Sequence, residues 1–133
     1  MGTLDSASPT TVALVDDDLD LLEATRRRIV VSLPDVEVRI YSDTTDALAA
    51  LTEVSHGLAI LDVDMPGMSG LELAAVLRER RPELPVVFMT GTSKQNMVQE
   101  YERVGAVAWL RKPVPGRVLI ETILEHALRT PAT

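Results

Sequence analysis

Four short apolar runs in this chain each stop at a polar group, and that recurrence limits the fold more than any other feature. Leu58-Ala59-Ile60-Leu61 ends at Asp62, with Asp64, Met65 and a Pro66-Gly67 turn close behind. Thr11 to Val15 ends at Asp16-Asp17-Asp18, Val86 to Met89 at Thr90-Gly91, and Val107 to Arg111 at Lys112-Pro113. Short β-branched and aliphatic runs bounded by turn residues read as buried strands. Parallel strands send such ends to one edge of a sheet, where ligands of open α/β folds bind. Asp62 is therefore a candidate reactive group, because a carboxylate at the rim of a core needs a partner.

The punctuation between the runs agrees with alternating strands and helices. Strands are expected at about 11–15, 36–41, 58–61, 85–89 and 107–111, and helices at about 18–32, 44–54, 69–81, 94–104 and 116–129. Asp18 or Asp20, Ser42 or Asp43, and Ser69 offer N-caps, while Pro34, His56-Gly57, Pro82 and Gly105 mark exits. Leu71, Leu73, Ala74 and Leu77 form an apolar stripe at helical spacing, as do Val118, Leu119, Ile123 and Ala127. The pattern predicts an α/β fold, a doubly wound five-stranded parallel sheet with five helices on its two faces. A flexible arm is expected at 1–10, one domain at 11–129 and a short tail at 130–133, with no room for a second domain.

Composition narrows the chemistry. Cysteine is absent, which removes disulfides, thiolate metal sites and thiol nucleophiles. Aromatic residues make up only 3% of the 133, so the core must be aliphatic. A net charge of −7 disfavours direct nucleic-acid binding. Arg26-Arg27-Arg28 and Arg78, Arg80 and Arg81 read as solvated helix faces, with Glu23 one turn before Arg27 for support. No apolar run is long enough to cross a bilayer, and the N-terminus lacks the apolar core of a secretory signal, so a cytoplasmic location is expected. His56 and His126 stand alone, without partners that suggest a metal site or a phosphohistidine relay.

Brought together, Asp16, Asp17 and Asp62 would repel by several kcal/mol per pair at about 4 Å and an effective dielectric of ~20. Such a cluster must protonate or bind a cation. Its hard oxygens suit Mg2+ or Mn2+. A metal there would position a phosphoryl group for attack by Asp62, with Lys112 and Thr90 meeting its oxygens.

Those residues, in identity, order and spacing, resemble the receiver domain of bacterial two-component response regulators, the CheY-like superfamily, from Thr11 to Leu128. The resemblance implies a flavodoxin-like sheet in strand order 2-1-3-4-5. It implies Asp62 as phosphoacceptor, Asp16, Asp17, Asp62 and the Asp64 backbone carbonyl as metal ligands, and Lys112 and Thr90 as catalytic groups. The Met65-Pro66-Gly67 turn matches the family, and Pro113 implies a cis peptide after Lys112. Thr90 and Trp109 fall on the switch positions, and Asp64 and Thr92 on positions that tune dephosphorylation. Trp109 stands where relatives carry Tyr or Phe, and its bulk is expected to hinder a full inward swing.

The resemblance implies a signalling receiver, not a metabolic enzyme, that catalyses its own phosphorylation and dephosphorylation. Its donor would be a sensor histidine kinase or histidine phosphotransfer protein. The face built by the fourth helix, fifth strand and fifth helix would switch and could pair two copies, and the output domain is expected outside this chain. Leu19, Leu22 and Pro113-Val114-Pro115 surround the site and are candidate kinase contacts. Two alternatives stay open: a haloacid-dehalogenase-like phosphohydrolase, with Asp62 as nucleophile and Asp64 as general acid, and a docking module that works without phosphorylation. Taken singly, Asp16 to Asp18 reads as a helix cap, Thr90 as a turn residue, Lys112 as a surface lysine and Trp109 as sheet packing. Met65 and Met68 read as loop packing.

Overall fold

The computed structural model describes residues 10–53, 56–91 and 98–127. Five strands, β1 (Thr11–Val15), β2 (Glu37–Tyr41), β3 (Leu58–Asp62), β4 (Val86–Thr90) and β5 (Ala108–Arg111), form one parallel sheet in the order β2-β1-β3-β4-β5. Five helices connect and cover it: α1 (Leu19–Ser32), α2 (Thr44–Glu53), α3 (Gly70–Arg80), α4 (Val98–Arg103) and α5 (Gly116–His126).

The three central strands are buried along their whole length because both sheet faces are covered. Side chains alternate between the faces. Val12, Leu14, Leu58, Ile60, Val87 and Met89 pack with Leu22 and Ile29 of α1 and Leu119 and Ile123 of α5. Ala13, Val15, Ala59, Leu61 and Phe88 pack on the other side with Ala47 and Leu51 of α2, Leu73, Ala74 and Leu77 of α3, and Tyr101 of α4. The edge strands β2 and β5 are each covered only in part, and exposed positions alternate along them.

Side-chain caps start α1, α2 and α3 where the fold needs them. The Asp18 side chain accepts from the Leu21 N–H at 3.1 Å and caps α1. Asp43 Oδ1 accepts from the N–H groups of Thr45 and Asp46 ahead of α2. Ser69 and Glu72 form a reciprocal capping box at α3. Gly105, at φ +82°, turns the chain after α4.

Several expectations need correction. His56-Gly57 is not a left-handed helix exit: Gly57 lacks a positive φ, and its N–H donates to the Thr11 carbonyl, leading into β3. Nor does His56 stand alone. It is buried, and its Nε2 lies 3.3 Å from the Tyr41 hydroxyl. Glu23 pairs with Arg26, at 2.9 Å, rather than with Arg27. Positions 94–97 of the expected fourth helix and 128–129 of the fifth lie outside the described residues, as do positions 1–9 of the arm and the tail. Among the described residues no helix is long and apolar enough to cross a membrane.

Removing the α3 cap tests this account of helix starts. Ser69→Ala is expected to lower stability by about 1 kcal/mol, seen as a lower urea midpoint with unchanged slope.

Candidate functional site

Parallel order delivers the C-terminal ends of β1, β3, β4 and β5 to one edge of the sheet. Asp16, just after β1, is buried, and its N–H donates to the Tyr41 carbonyl at 3.1 Å, extending the ladder by one residue. Asp62 is the last residue of β3 and is also buried. Its register partner on β4 is Met89, so Thr90 stands one position further along the same edge, buried at the end of its strand. The Lys112 N–H donates to the Thr90 carbonyl at 2.8 Å, and the Lys112–Pro113 peptide is cis.

Carboxylate oxygens of Asp16, Asp17 and Asp62 lie within 4.8 Å of one another. The Lys112 ammonium donates to Asp16 Oδ2 at 2.7 Å and lies 3.3 Å from Asp62 Oδ1. Asp16 Oδ1 accepts from the Asp18 N–H at 3.0 Å, so both oxygens of that carboxylate are held in place. Asp62 Oδ1 also accepts from the Asp64 N–H at 3.4 Å.

Burial pushes the Asp62 carboxyl above the ordinary aspartate range, and the Asp16 charge pushes it the same way. Lys112 and the Asp64 N–H offset only part of that rise. For Lys112, burial by itself lowers the pKa, but the hydrogen bond and charge of Asp16, backed by Asp62, outweigh it and hold the ammonium above its ordinary value. Three carboxylates against one ammonium leave a formal −2 (−3 + 1). A hard-oxygen set with that residual charge fits a divalent cation such as Mg2+.

Residues 12–124 match the family model of the response regulator receiver domain. This chain belongs to that family. The receiver domain is 37% identical over 117 residues to the response regulator protein FleR of Pseudomonas aeruginosa, covering 88% of this chain and 24% of FleR. To the C4-dicarboxylate transport transcriptional regulatory protein DctD of Rhizobium meliloti it is 33% identical over 117 residues, covering 88% of this chain and 25% of DctD. It thus spans about a quarter of the length of these curated relatives. Among solved structures, a CheY-like receiver domain protein from Methanospirillum hungatei superposes with a TM-score of 0.83 at 30% identity, covering 89% of this chain and 93% of that one. Vibrio cholerae CheY4 gives 0.81 at 27%, covering 88% and 98%. The chain therefore has the flavodoxin-like fold of CheY and a place in two-component signalling.

The remaining site residues divide. Asp64, which a phosphohydrolase would use as general acid, is exposed, and its side chain is not part of the carboxylate cluster. Trp109, on edge strand β5, is 38% exposed, with its ring centroid 5.7 Å from that of buried Tyr101. Thr92 lies outside the described residues. Of the expected contacts around the site, Leu19 and the prolines of Pro113-Val114-Pro115 reach the surface, whereas Leu22 is buried. Leu22 and Ile29 lie two helical turns apart, which puts both on the inward face of α1.

Leu21, one position earlier, faces outward instead. With Ala24, Thr25, Arg28, Met89 and Val114 it lines a groove of about 490 Å³ that opens beside Lys112 and Pro113. Arg28 is exposed, as expected of a solvated face, and its aliphatic stem also lies over Gly116, where a Cβ would come within 2.9 Å of its Cδ. No sequence signal pairs Arg28 with Gly116, because the contact joins two helices far apart in the chain.

Because folding raises the Asp62 pKa, its ionised form costs stability above the folded pKa and costs nothing below the unfolded value. In chelator, Asp62→Asn is therefore expected to be more stable than the parent at about pH 7. The difference should vanish near pH ~3, where both proteins are neutral at this position. Thermal melts at the two pH values check the sign.

Proposed function

We propose that this receiver domain takes a phosphoryl group onto Asp62 from the phosphohistidine of a sensor histidine kinase or a histidine phosphotransfer protein. The contact of Lys112 with Asp62, beside the three-carboxylate cluster, carries this reading. An Asp62 carboxylate oxygen attacks phosphorus and forms an acyl phosphate. The P–N bond to the donor imidazole breaks, and its electron pair leaves with the imidazole nitrogen. Hydrolysis later releases inorganic phosphate and restores the carboxylate.

Asp16, Asp17, Asp62 and the Asp64 backbone carbonyl would hold Mg2+ (or Mn2+), which draws charge from the phosphoryl oxygens when bound. Lys112 offers a positive charge to the same oxygens, and Asp16 keeps that ammonium in place. Thr90, at the end of the neighbouring strand, supplies a hydroxyl for another oxygen. Asp64 and Thr92 stand at the sequence positions that tune the lifetime of the acyl phosphate in the family.

Phosphorylation adds roughly −1.5 to −2 charges and biases a two-state equilibrium of α4, β5 and α5 through Thr90. Trp109 reports that change from the surface of β5. Val107 and Trp109 stand exposed on this open edge, which suits a second copy of the chain. The kinase docks across Leu19, the Pro113-Val114-Pro115 turn and the groove beside Lys112. The protein acts in the cytoplasm and binds no nucleic acid through this domain.

Intact mass after incubation with acetyl phosphate, and then with a phosphorylated kinase, tests the reading. One phosphoryl addition is expected, requiring both Mg2+ and Asp62 and absent from Asp62→Asn. Undiminished labelling of that variant would sink the assignment, and rapid repeated turnover of a phosphomonoester would favour the phosphohydrolase instead.

A further inference from the structure

Gly70 opens α3 at a point where no unusual backbone angle asks for glycine. Among the described residues, positive φ values occur only at Gly67 and Gly105. What Gly70 answers is proximity. A Cβ there would stand 2.1 Å from the carbonyl oxygen of Asp62, 3.0 Å from its carbonyl carbon and 3.1 Å from Val63 Cα. All three are backbone atoms, so no flexible side-chain tip can move aside. The Gly70 N–H also donates to the Val63 carbonyl at 3.1 Å, which ties the helix start to the peptide beyond the strand.

We propose that Gly70 is a positioning residue for phosphoryl acceptance: it lets α3 close onto the Asp62–Val63 peptide and so sets the Asp62 carboxylate against Asp16, Asp17 and Lys112. The proposal rests on the reading of Asp62 as acceptor. Neither partner in the contact is free to retreat. β3 is a central strand, and the Val63 N–H donates to the Met89 carbonyl at 3.0 Å. On the helix side, Leu73, Ala74 and Leu77 are fully buried, and the capping box fixes the first turn. Relieving a 2.1 Å approach to the 3.0 Å floor for real Cβ contacts takes nearly 1 Å of movement. Part of that shift must rotate the Asp62 peptide and tilt the carboxylate. A misplacement of about 1 Å can cost about a hundredfold in rate.

Gly70→Ala separates placement from helix stability, because alanine is the better helix former. Ser69→Ala is its comparison: it weakens the same helix end without entering the Asp62 contact. Labelling by acetyl phosphate at saturating Mg2+ is expected to slow by about 10–100-fold in Gly70→Ala. The half-saturating donor concentration should stay within about twofold, and Ser69→Ala should label within about threefold of the parent. A Mg2+ titration without donor, followed by amide shifts of Asp16, Asp17 and Asp62, should show weaker binding only in Gly70→Ala. The proposal is overturned if Gly70→Ala labels and binds Mg2+ like the parent, or if both variants slow alike. It also falls if Gly70→Ala does not fold, since the residue would then serve assembly of the fold. A parent that accepts no phosphoryl group from acetyl phosphate or a phosphorylated kinase sinks the acceptor reading instead.

Discussion

The Lys112 ammonium is tied to Asp16 across 96 positions of sequence, and it lies against Asp62 as well. At an effective dielectric of ~20, two carboxylates about 4 Å apart repel by about 4 kcal/mol. Three of them at one sheet edge are tolerable only with a cation among them. The lysine supplies part of that charge and leaves a deficit that a divalent ion can fill. The same arrangement raises Asp62 and Lys112 together, since burial and neighbouring acids push a carboxyl up while an acid beside an ammonium also holds it up.

A frustrated edge of this kind needs a rigid support. The support comes from burial of β1, β3 and β4 on both faces, with α1 and α5 on one side and α2, α3 and α4 on the other. The site's principal groups come from distant parts of the chain: Asp16, Asp62, Thr90 and Lys112 follow or end four different strands. Their placement depends on register: a one-residue slip would exchange the side chains packed on the two faces and carry Asp16 or Asp62 off the shared edge. The Gly70 contact adds a helix start to the same support.

Much of this was legible in the residues. Apolar runs ending at Asp62, Thr90 and Lys112 announced the strands and the chemistry at their ends, because a parallel sheet gives such ends a common destination. Asp18, Asp43 and Ser69 announced helix starts through short-range hydrogen bonds that act within three residues. The failures lay in side-chain direction and in long-range contacts. Glu23 had two arginines within reach, and side-chain direction chose Arg26. Leu22 stands near enough to the α1 cap to look like part of the rim, yet its phase on the helix sends it into the core while Leu21 faces the groove. His56 looked isolated because its partner, Tyr41, sits at the end of β2, fifteen positions earlier.

Element type and order are encoded locally here, in hydrophobic period, caps and turn residues, each acting over a few positions. The chemical class of the site is encoded too, since only acids, a hydroxyl and a lysine stand at the strand ends. Distances are not. Whether Lys112 reaches Asp16 at 2.7 Å, whether Arg28 lies over Gly116, and whether Gly70 can touch the Asp62 carbonyl depend on how sheet twist, helix packing and side-chain volume settle together. Those are properties of the packed interior, where every residue's position is set by neighbours far away in sequence.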